Sequence, residues 1–161
     1  MSDEQRARGL MFTDHSVLEI LAGRKRVTRR FGVQATRLRP GVLLYVKEAY
    51  SGCVLNHWPD LPSTRYTDRH GIERWAFYRA GFTRSPLSWR SPMFMPRAAS
   101  RLLLRVESVD TATSVGRSLA SIDVEEAIRE GAATPEAFRA GWAAMHGDRQ
   151  GEVTRIGFSV V

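Results

Sequence analysis

With 161 residues, 43% of them hydrophobic and 25% charged, and a net charge of +7, the chain reads as one basic globular domain long enough to bury its own core. No apolar run approaches the roughly 20 residues of a membrane helix, and the polar start Met1-Ser2-Asp3-Glu4-Gln5 lacks the apolar core of a secretion signal, so a soluble, cytoplasmic protein with no membrane partner is expected. The single cysteine, Cys53, excludes an internal disulfide and a cysteine-rich zinc site. His15, His57, His70 and His146 are scattered, so neither a metal nor a cofactor is expected.

Residues 1–9 are polar and read as a frayed N-terminus; the single domain is expected over 10–161. Thr13 or Asp14 can cap a short helix through Ala22, with Val17, Leu18, Ile20 and Leu21 as its apolar face and Gly23 as its stop. The basic segment that follows reads as a turn and then a strand. After the turn signal Pro40-Gly41, the β-branched and aromatic run Val42 to Tyr50 reads as a core strand. Residues 51–74 mix Gly, Pro, His and charge. With a second irregular stretch at 80–92, they form an expected insertion over about 51–92, interrupted by a short strand at Trp75-Ala76-Phe77-Tyr78. Ser100 to Val109 is a further strand. Asp123 followed by Glu126 has the spacing of a capping box, opening a helix that Gly131 closes. Thr134-Pro135 starts another helix running to about Met145, with Phe138, Trp142 and Met145 as core anchors. Ile156, Phe158 and Val160 alternate with Arg155, Gly157 and Ser159, as in a half-buried strand. Several strands with helices at the periphery predict an α+β protein built on a small mixed-strand barrel.

The cationic positions are 22 arginines and two lysines, and one lysine lies in Gly23-Arg24-Lys25-Arg26-Val27-Thr28-Arg29-Arg30. A crowded lysine can lose its proton and act as a base, whereas arginine stays charged. The arginines around Lys25 favour that loss. Thr28, three residues on, supplies a hydroxyl that such a base could activate. The plainer alternative is a solvated basic strand, with two lysines left by chance. Residues 1–50 carry +5, residues 51–105 carry +6 and residues 106–161 carry −4. A basic body of this kind suits a polyanionic partner, nucleic acid first, unless it reflects only a generally cationic surface.

Gly23-Arg24-Lys25, then Thr28-Arg29-Arg30, Pro40-Gly41, the strand Tyr45-Val46-Lys47-Glu48-Ala49-Tyr50, Phe94-Met95-Pro96-Arg97 before a strand, and Glu125-Glu126-Ala127-Ile128-Arg129-Glu130-Gly131 occur in an order that resembles the ASCH domain family of the PUA-like superfamily. The match is closest to the ASCH proteins often found in phages and prophages, and it runs from about residue 9 to the C-terminus. The resemblance implies a small PUA-like β-barrel whose cleft accepts a nucleobase or an RNA segment. One bacterial branch of the family hydrolyses the amide of N4-acetylcytidine with a Lys, a Thr and a Glu; another member is described as a ribonuclease acting on single strands. Carried over by motif, the catalytic lysine falls on Lys25 and the threonine on Thr28. The glutamate falls on Glu130, with Glu126 as a competitor. The insertion at 51–92 departs from the small amidohydrolases and bears on the substrate.

Amide hydrolysis needs an activated nucleophile, a proton acceptor and an oxyanion donor. Thr28 can attack, neutral Lys25 can take its proton, and Glu130 can hold the substrate amine or pass a proton to the leaving nitrogen. Arg30 suits an oxyanion or a phosphate. In a regular strand Lys25 and Thr28 would face opposite sides, so Lys25 is expected in the turn after Gly23. Arg24, Arg26, Lys47, Glu48, Tyr50, Trp89, Arg90 and Arg97 complete the candidate substrate or nucleic-acid contacts. Glu48 is equally readable as a structural ion pair with an arginine, Arg97 as an unpaired surface arginine, and Tyr50, Trp75, Tyr78 and Trp89 as core packing. Trp89, in a loop beside Arg90, is the best candidate for stacking on a base. The leading expectation is an amidohydrolase acting on N4 of a modified cytosine nucleoside. The alternatives are a non-catalytic RNA or modified-DNA binding module, or a single-strand-specific ribonuclease; the oligomeric state stays open.

Overall fold

In the computed structural model of the protein, which describes residues 6–32, 37–84 and 87–161, the fold is α+β with both parallel and antiparallel strand pairs. The chain divides into two compact units. The first is Met1–Leu18, Leu43–Leu104 and Val161; the second is Glu19–Val42 and Arg105–Val160.

In the first unit β1 (Arg8–Met11) runs parallel to β3 (Leu43–Lys47), with Gly9 opposite Tyr45. The expectation of a frayed start is therefore corrected at Arg8 and Gly9, whose backbones are held by the β3 ladder; residues 1–5 lie outside the described residues. Gly9 is required by close approach, because a Cβ there would lie 2.6 Å from Lys47 Cδ and 2.7 Å from the Tyr45 ring. α1 (Asp14–Leu21), whose last three residues belong to the second unit, is capped by Thr13, whose hydroxyl accepts from the Ser16 amide at 3.2 Å. It buries Val17 and Ile20, while Leu18 and Leu21 are exposed. Two turns of helix present only a narrow stripe, so four apolar positions do not all fit beneath it.

The strand expected over Val42 to Tyr50 breaks after Lys47, and Tyr50 opens a second sheet. There β4 (Tyr50–Cys53) and β5 (Thr64–Thr67) flank β6 (Glu73–Tyr78), all antiparallel. The irregular reading of 51–74 is thus corrected. The Asp68 carboxylate closes the β5–β6 turn by accepting from the His70 and Ile72 amides at 2.8 and 3.0 Å, and Gly71 takes a positive φ of 78° there. Tyr50, Tyr66, Ala76, Tyr78, Met95 and Ala99 form a buried cluster. Two of its tyrosines tether the following loop: Tyr50 donates to the Phe94 carbonyl at 2.9 Å and Tyr78 to the Ala99 carbonyl at 2.8 Å. Those carbonyls sit in two 3-10 turns, Pro92–Phe94 and Arg97–Ala99.

In the second unit β2 (Val27–Phe31) pairs antiparallel with β9 (Glu152–Val160), which also holds the short β8 (Thr113–Ser114). β7 (Leu103–Val109), whose first two residues belong to the first unit, starts later than expected because the 3-10 turn at Arg97–Ala99 precedes it. Three helices follow: α2 (Val115–Ala120), which the sequence reading did not anticipate, α3 (Val124–Arg129) and α4 (Pro135–His146). Ser114, Asp123 and Thr134 cap them, each accepting from the amide three residues on. Val115, Trp142 and Val153 form a core with Phe31, Leu119 and Phe138 against it. Met145, expected as a third anchor, is 63% exposed, and Val160 is also exposed. The core contact of α4 is centred on Trp142, and Met145 lies in its last turn beyond it.

Candidate functional site

Lys25 lies between the end of α1 and the start of β2, outside the strand alternation. Gly23, with φ at 78°, ends the helix, and the amides of Arg24 and Lys25 both bond back to the Glu19 carbonyl at 3.0 Å. That turn sends the Lys25 side chain inward, where it is only 5% exposed. Its ammonium donates to the Glu130 carbonyl oxygen at 2.6 Å and meets Glu130 Oε2 at 3.3 Å.

Glu130 is the residue on which α3 ends, and Gly131 follows with φ at 88°. The Ala132 amide bonds the Ala127 carbonyl at 2.8 Å, and the Arg26 amide bonds the Arg129 carbonyl at 2.7 Å. The segment Lys25-Arg26 therefore supplies donors to carbonyls that the end of α3 leaves unpaired. A positive charge at a helix C-terminus is also favoured by the helix dipole. The Gly131 backbone lies against the lysine stem: a Cβ there would come 3.3 Å from Lys25 Cδ.

The other carboxylate oxygen of Glu130 accepts from Arg29 Nη1 at 2.5 Å. Arg29 is itself 6% exposed, donates through Nε to Ser118 Oγ at 2.9 Å, and meets Glu126 Oε1 at 3.0 Å. Glu126 is bound in turn by Arg155, through Nε at 2.5 Å and Nη2 at 3.2 Å. Instead of closing the reciprocal half of a capping box, the Glu126 side chain thus joins a chain of charges running Lys25, Glu130, Arg29, Glu126, Arg155. Arg29, quoted only as part of the basic run, and Ser118 were not among the expected site residues. A buried arginine in a basic run is recognisable only once its carboxylate partners, about 100 positions away, are folded against it.

Burial holds the Lys25 ammonium below the usual lysine value; Glu130 pulls the other way, and the positive charges of Arg30 and Arg29 reinforce the fall. Burial also brings the Arg30 guanidinium down to about 10, against the attraction of Glu130. At Glu126 burial favours the neutral acid, but the Arg155 bonds and the Arg29 charge outweigh it and hold the carboxyl below the usual glutamate range.

Thr28 is buried on β2 opposite Ile156, and its hydroxyl accepts from Arg30 Nε at 3.1 Å. Thr28 and Arg30 share one face of the strand and Arg29 takes the other. The contacts of Lys25 are with Glu130, so the structure joins lysine to glutamate and threonine to Arg30, with no direct hydrogen bond between Lys25 and Thr28.

The remaining candidates fall elsewhere. Arg24 is exposed and bound twice by Glu19, at 2.7 and 2.8 Å; Arg26 is exposed and reaches the Gly23 carbonyl at 3.3 Å. Lys47 donates to the Met93 carbonyl at 2.7 Å. Glu48 is fully buried, with Arg101 on both carboxylate oxygens at 3.0 and 2.8 Å; burial still raises its pKa against that bonding. The Arg97 guanidinium lies 5.8 Å from the Tyr45 ring centre, and its buried Nε has no hydrogen-bond partner. Trp75 is partly buried, and Tyr78 is buried with Arg101 over its ring at 4.2 Å. Tyr50, Trp89 and Arg90 border a cleft of the first unit, as do Tyr66 and Arg74, which sequence reasoning missed. Among the described residues no group of three or more His, Cys, Asp or Glu side chains is placed to hold a metal ion, and no helix is long and apolar enough to cross a membrane.

Comparison with protein-family models, with curated proteins and with solved structures returned no match.

Proposed function

We propose that the protein is an ASCH-type, PUA-like nucleobase-recognising hydrolase that removes an acyl group from N4 of a modified cytosine nucleoside. One observation carries this reading. Lys25 and Glu130, marked independently by the resemblance, are 105 positions apart, yet they meet through a buried ammonium–carboxylate contact of 3.3 Å. The mixed strand pairing and peripheral helices are compatible with a small barrel of the PUA-like kind.

The chemistry follows from the positions. Neutral Lys25 takes the hydroxyl proton of Thr28 as Thr28 Oγ1 attacks the acyl carbon. Arg30, already donating to that oxygen, stabilises the negative charge that develops beside it. Collapse of the tetrahedral intermediate breaks the carbon–nitrogen bond, and the Lys25 ammonium returns the proton to the departing amine. Water then hydrolyses the acyl-threonine ester by the same route in reverse. Lys25 must swing from the Glu130 carbonyl toward Thr28, and the Glu130 carboxylate is the anchor about which it would turn. This reading includes no metal or cofactor and a cytoplasmic location.

The test is incubation with N4-acetylcytidine and longer N4-acyl analogues, with cytidine release followed by chromatography. Release that disappears in Lys25→Ala supports the proposal. No turnover across the acyl series, or turnover undiminished in Lys25→Ala, overturns it. A second reading, a nucleic-acid binding module without chemistry, is favoured by the two contacts that hold the Lys25 ammonium on Glu130 at the end of α3. It predicts salt-sensitive binding and no turnover. Cleavage of labelled single-stranded RNA in chelator would instead indicate the ribonuclease alternative.

A further inference from the structure

In the first unit a cleft of about 960 Å³ is lined by Tyr66, Arg69, Arg74, Trp89, Arg90 and Phe94 among others. Its size is at the upper end of the roughly 300–1,000 Å³ typical of small-molecule sites. It shares no residue with the Lys25 cluster and stands or falls independently of the hydrolase reading.

Its aromatic groups are held in place. Trp89 is half-buried and meets Phe82 edge-on at 5.1 Å; Phe82 meets Trp58 at 5.4 Å, and Trp58 meets the buried Phe77 at 5.3 Å. This run of edge contacts fixes the indole from behind. Phe94 is 67% exposed, an unusual position for a phenylalanine, and sits on a 3-10 turn pinned by the Tyr50 hydroxyl. A planar ligand thus meets prepositioned rings.

Its charge is uncompensated. Asp68 is committed to Arg74 at 2.6 Å and to two turn amides. Arg69 donates to His70 Nε2 at 3.1 Å, which requires that nitrogen to be unprotonated, and it has no carboxylate partner among the described residues. The Arg90 side chain is exposed and makes no hydrogen bond or ion pair among them. Two guanidinium groups therefore face the cleft without an anion.

A polar group on its wall is also open to a ligand. Tyr66 is only 6% exposed, and its hydroxyl bonds to no group among the described residues. Gly52 makes room for it, because a Cβ there would clash with the Tyr66 hydroxyl oxygen. A phenol whose ring is buried and whose accessible hydroxyl has no protein partner among the described residues is placed, beside an open cleft, to bond a ligand atom.

We propose that this cleft is a nucleotide site: a base stacks on Trp89, the phosphate is held by Arg69 and Arg90, and the Tyr66 hydroxyl bonds a polar atom of the base or sugar. The same chemistry is offered by a free nucleotide and by one residue of a single strand. The experiment is fluorescence anisotropy with a labelled single-stranded RNA of about 12 nucleotides, within the span of known single-strand sites, competed by nucleoside 5′-monophosphates. Displacement by monophosphates at the unlabelled strand's own concentration identifies a free nucleotide as the ligand; displacement only by the strand identifies a strand segment. In either case Trp89→Ala should weaken binding about 10-fold or more. Arg90→Ala, which removes no internal bond, should reduce the slope of log affinity against log salt by about one. Failure of both strand and monophosphates to bind, or binding unchanged in both variants, overturns the proposal.

Discussion

The Lys25 ammonium donates to the backbone carbonyl of Glu130 at 2.6 Å while meeting the carboxylate of the same residue at 3.3 Å, so one side chain both caps α3 and forms half of a buried ion pair. Removing either partner should be costly, but unequally. Lys25→Met leaves Glu130 still bound by Arg29, whereas Glu130→Gln leaves two buried cations facing a neutral amide. Loss of one partner of a buried pair costs about 3–5 kcal/mol, and the lysine variant should lie at the lower end of that range. Urea denaturation of the two variants measures this. A glutamine variant as stable as the methionine variant would show that Arg29 does not depend on Glu130.

Gly131 should be intolerant of a side chain for two separable reasons. Its φ of 88° is left-handed, which costs an L-residue about 1–2 kcal/mol, and the added Cβ would press on Glu19 Cβ at 3.2 Å and Lys25 Cδ at 3.3 Å. Gly131→Ala is therefore expected to lower stability by about 2 kcal/mol. It should also shift the Lys25 ε-carbon resonance in NMR spectra. A stability loss with that resonance unmoved would mean that the lysine stem does not rest on this backbone.

These relationships were unequally visible in the residues. The ends of α3 were legible because Asp123 and Gly131 solve local problems, an unpaired amide and a left-handed turn, that the chain carries wherever it folds. The same holds for Thr134-Pro135 at α4. β4 and β5 were not legible. Their inward residues, Tyr50 and Tyr66, are interleaved with Ser51, Gly52, Arg65 and Thr67, so no apolar alternation marks them, and β6 between them completes both ladders. The segment around Lys25 was readable as unusual in composition, but its electrostatics were not. Arg29 looked like one more surface cation until Glu126 and Glu130 were folded onto it.

Acid should weaken the second unit through Glu126. Its folded-state pKa lies below the usual glutamate value of about 4.5, so the unfolded chain binds more protons as pH falls. By linkage the carboxylate's contribution is complete above about 4.5 and is lost as pH drops through the lowered folded value. Glu126→Gln should therefore reduce stability at neutral pH by about 2–4 kcal/mol, since it leaves Arg155 with Asp110 alone and removes one contact of Arg29. The gap between variant and parent should then narrow below about pH 4. Denaturation midpoints measured from pH 7 to pH 3 decide the matter, and parallel curves would refute the assignment.

The division of labour between Thr28 and Lys25 predicts a paired kinetic signature. Thr28→Val is nearly isosteric but has no nucleophile, so turnover of an N4-acylcytidine should fall by about 10²–10⁴-fold, while Thr28→Ser should retain most of it. Only neutral Lys25 can accept the proton, and burial with Arg30 and Arg29 lowers its pKa from 10.5. The value of kcat/KM should therefore rise with pH and level off below 10.5. Arg30→Gln removes one of the two neighbouring cations and should move that rising limb to higher pH. If the limb stays in place in Arg30→Gln, or Thr28→Val turns over like Thr28→Ser, the titrating group is not Lys25 or the attacking oxygen is not that of Thr28.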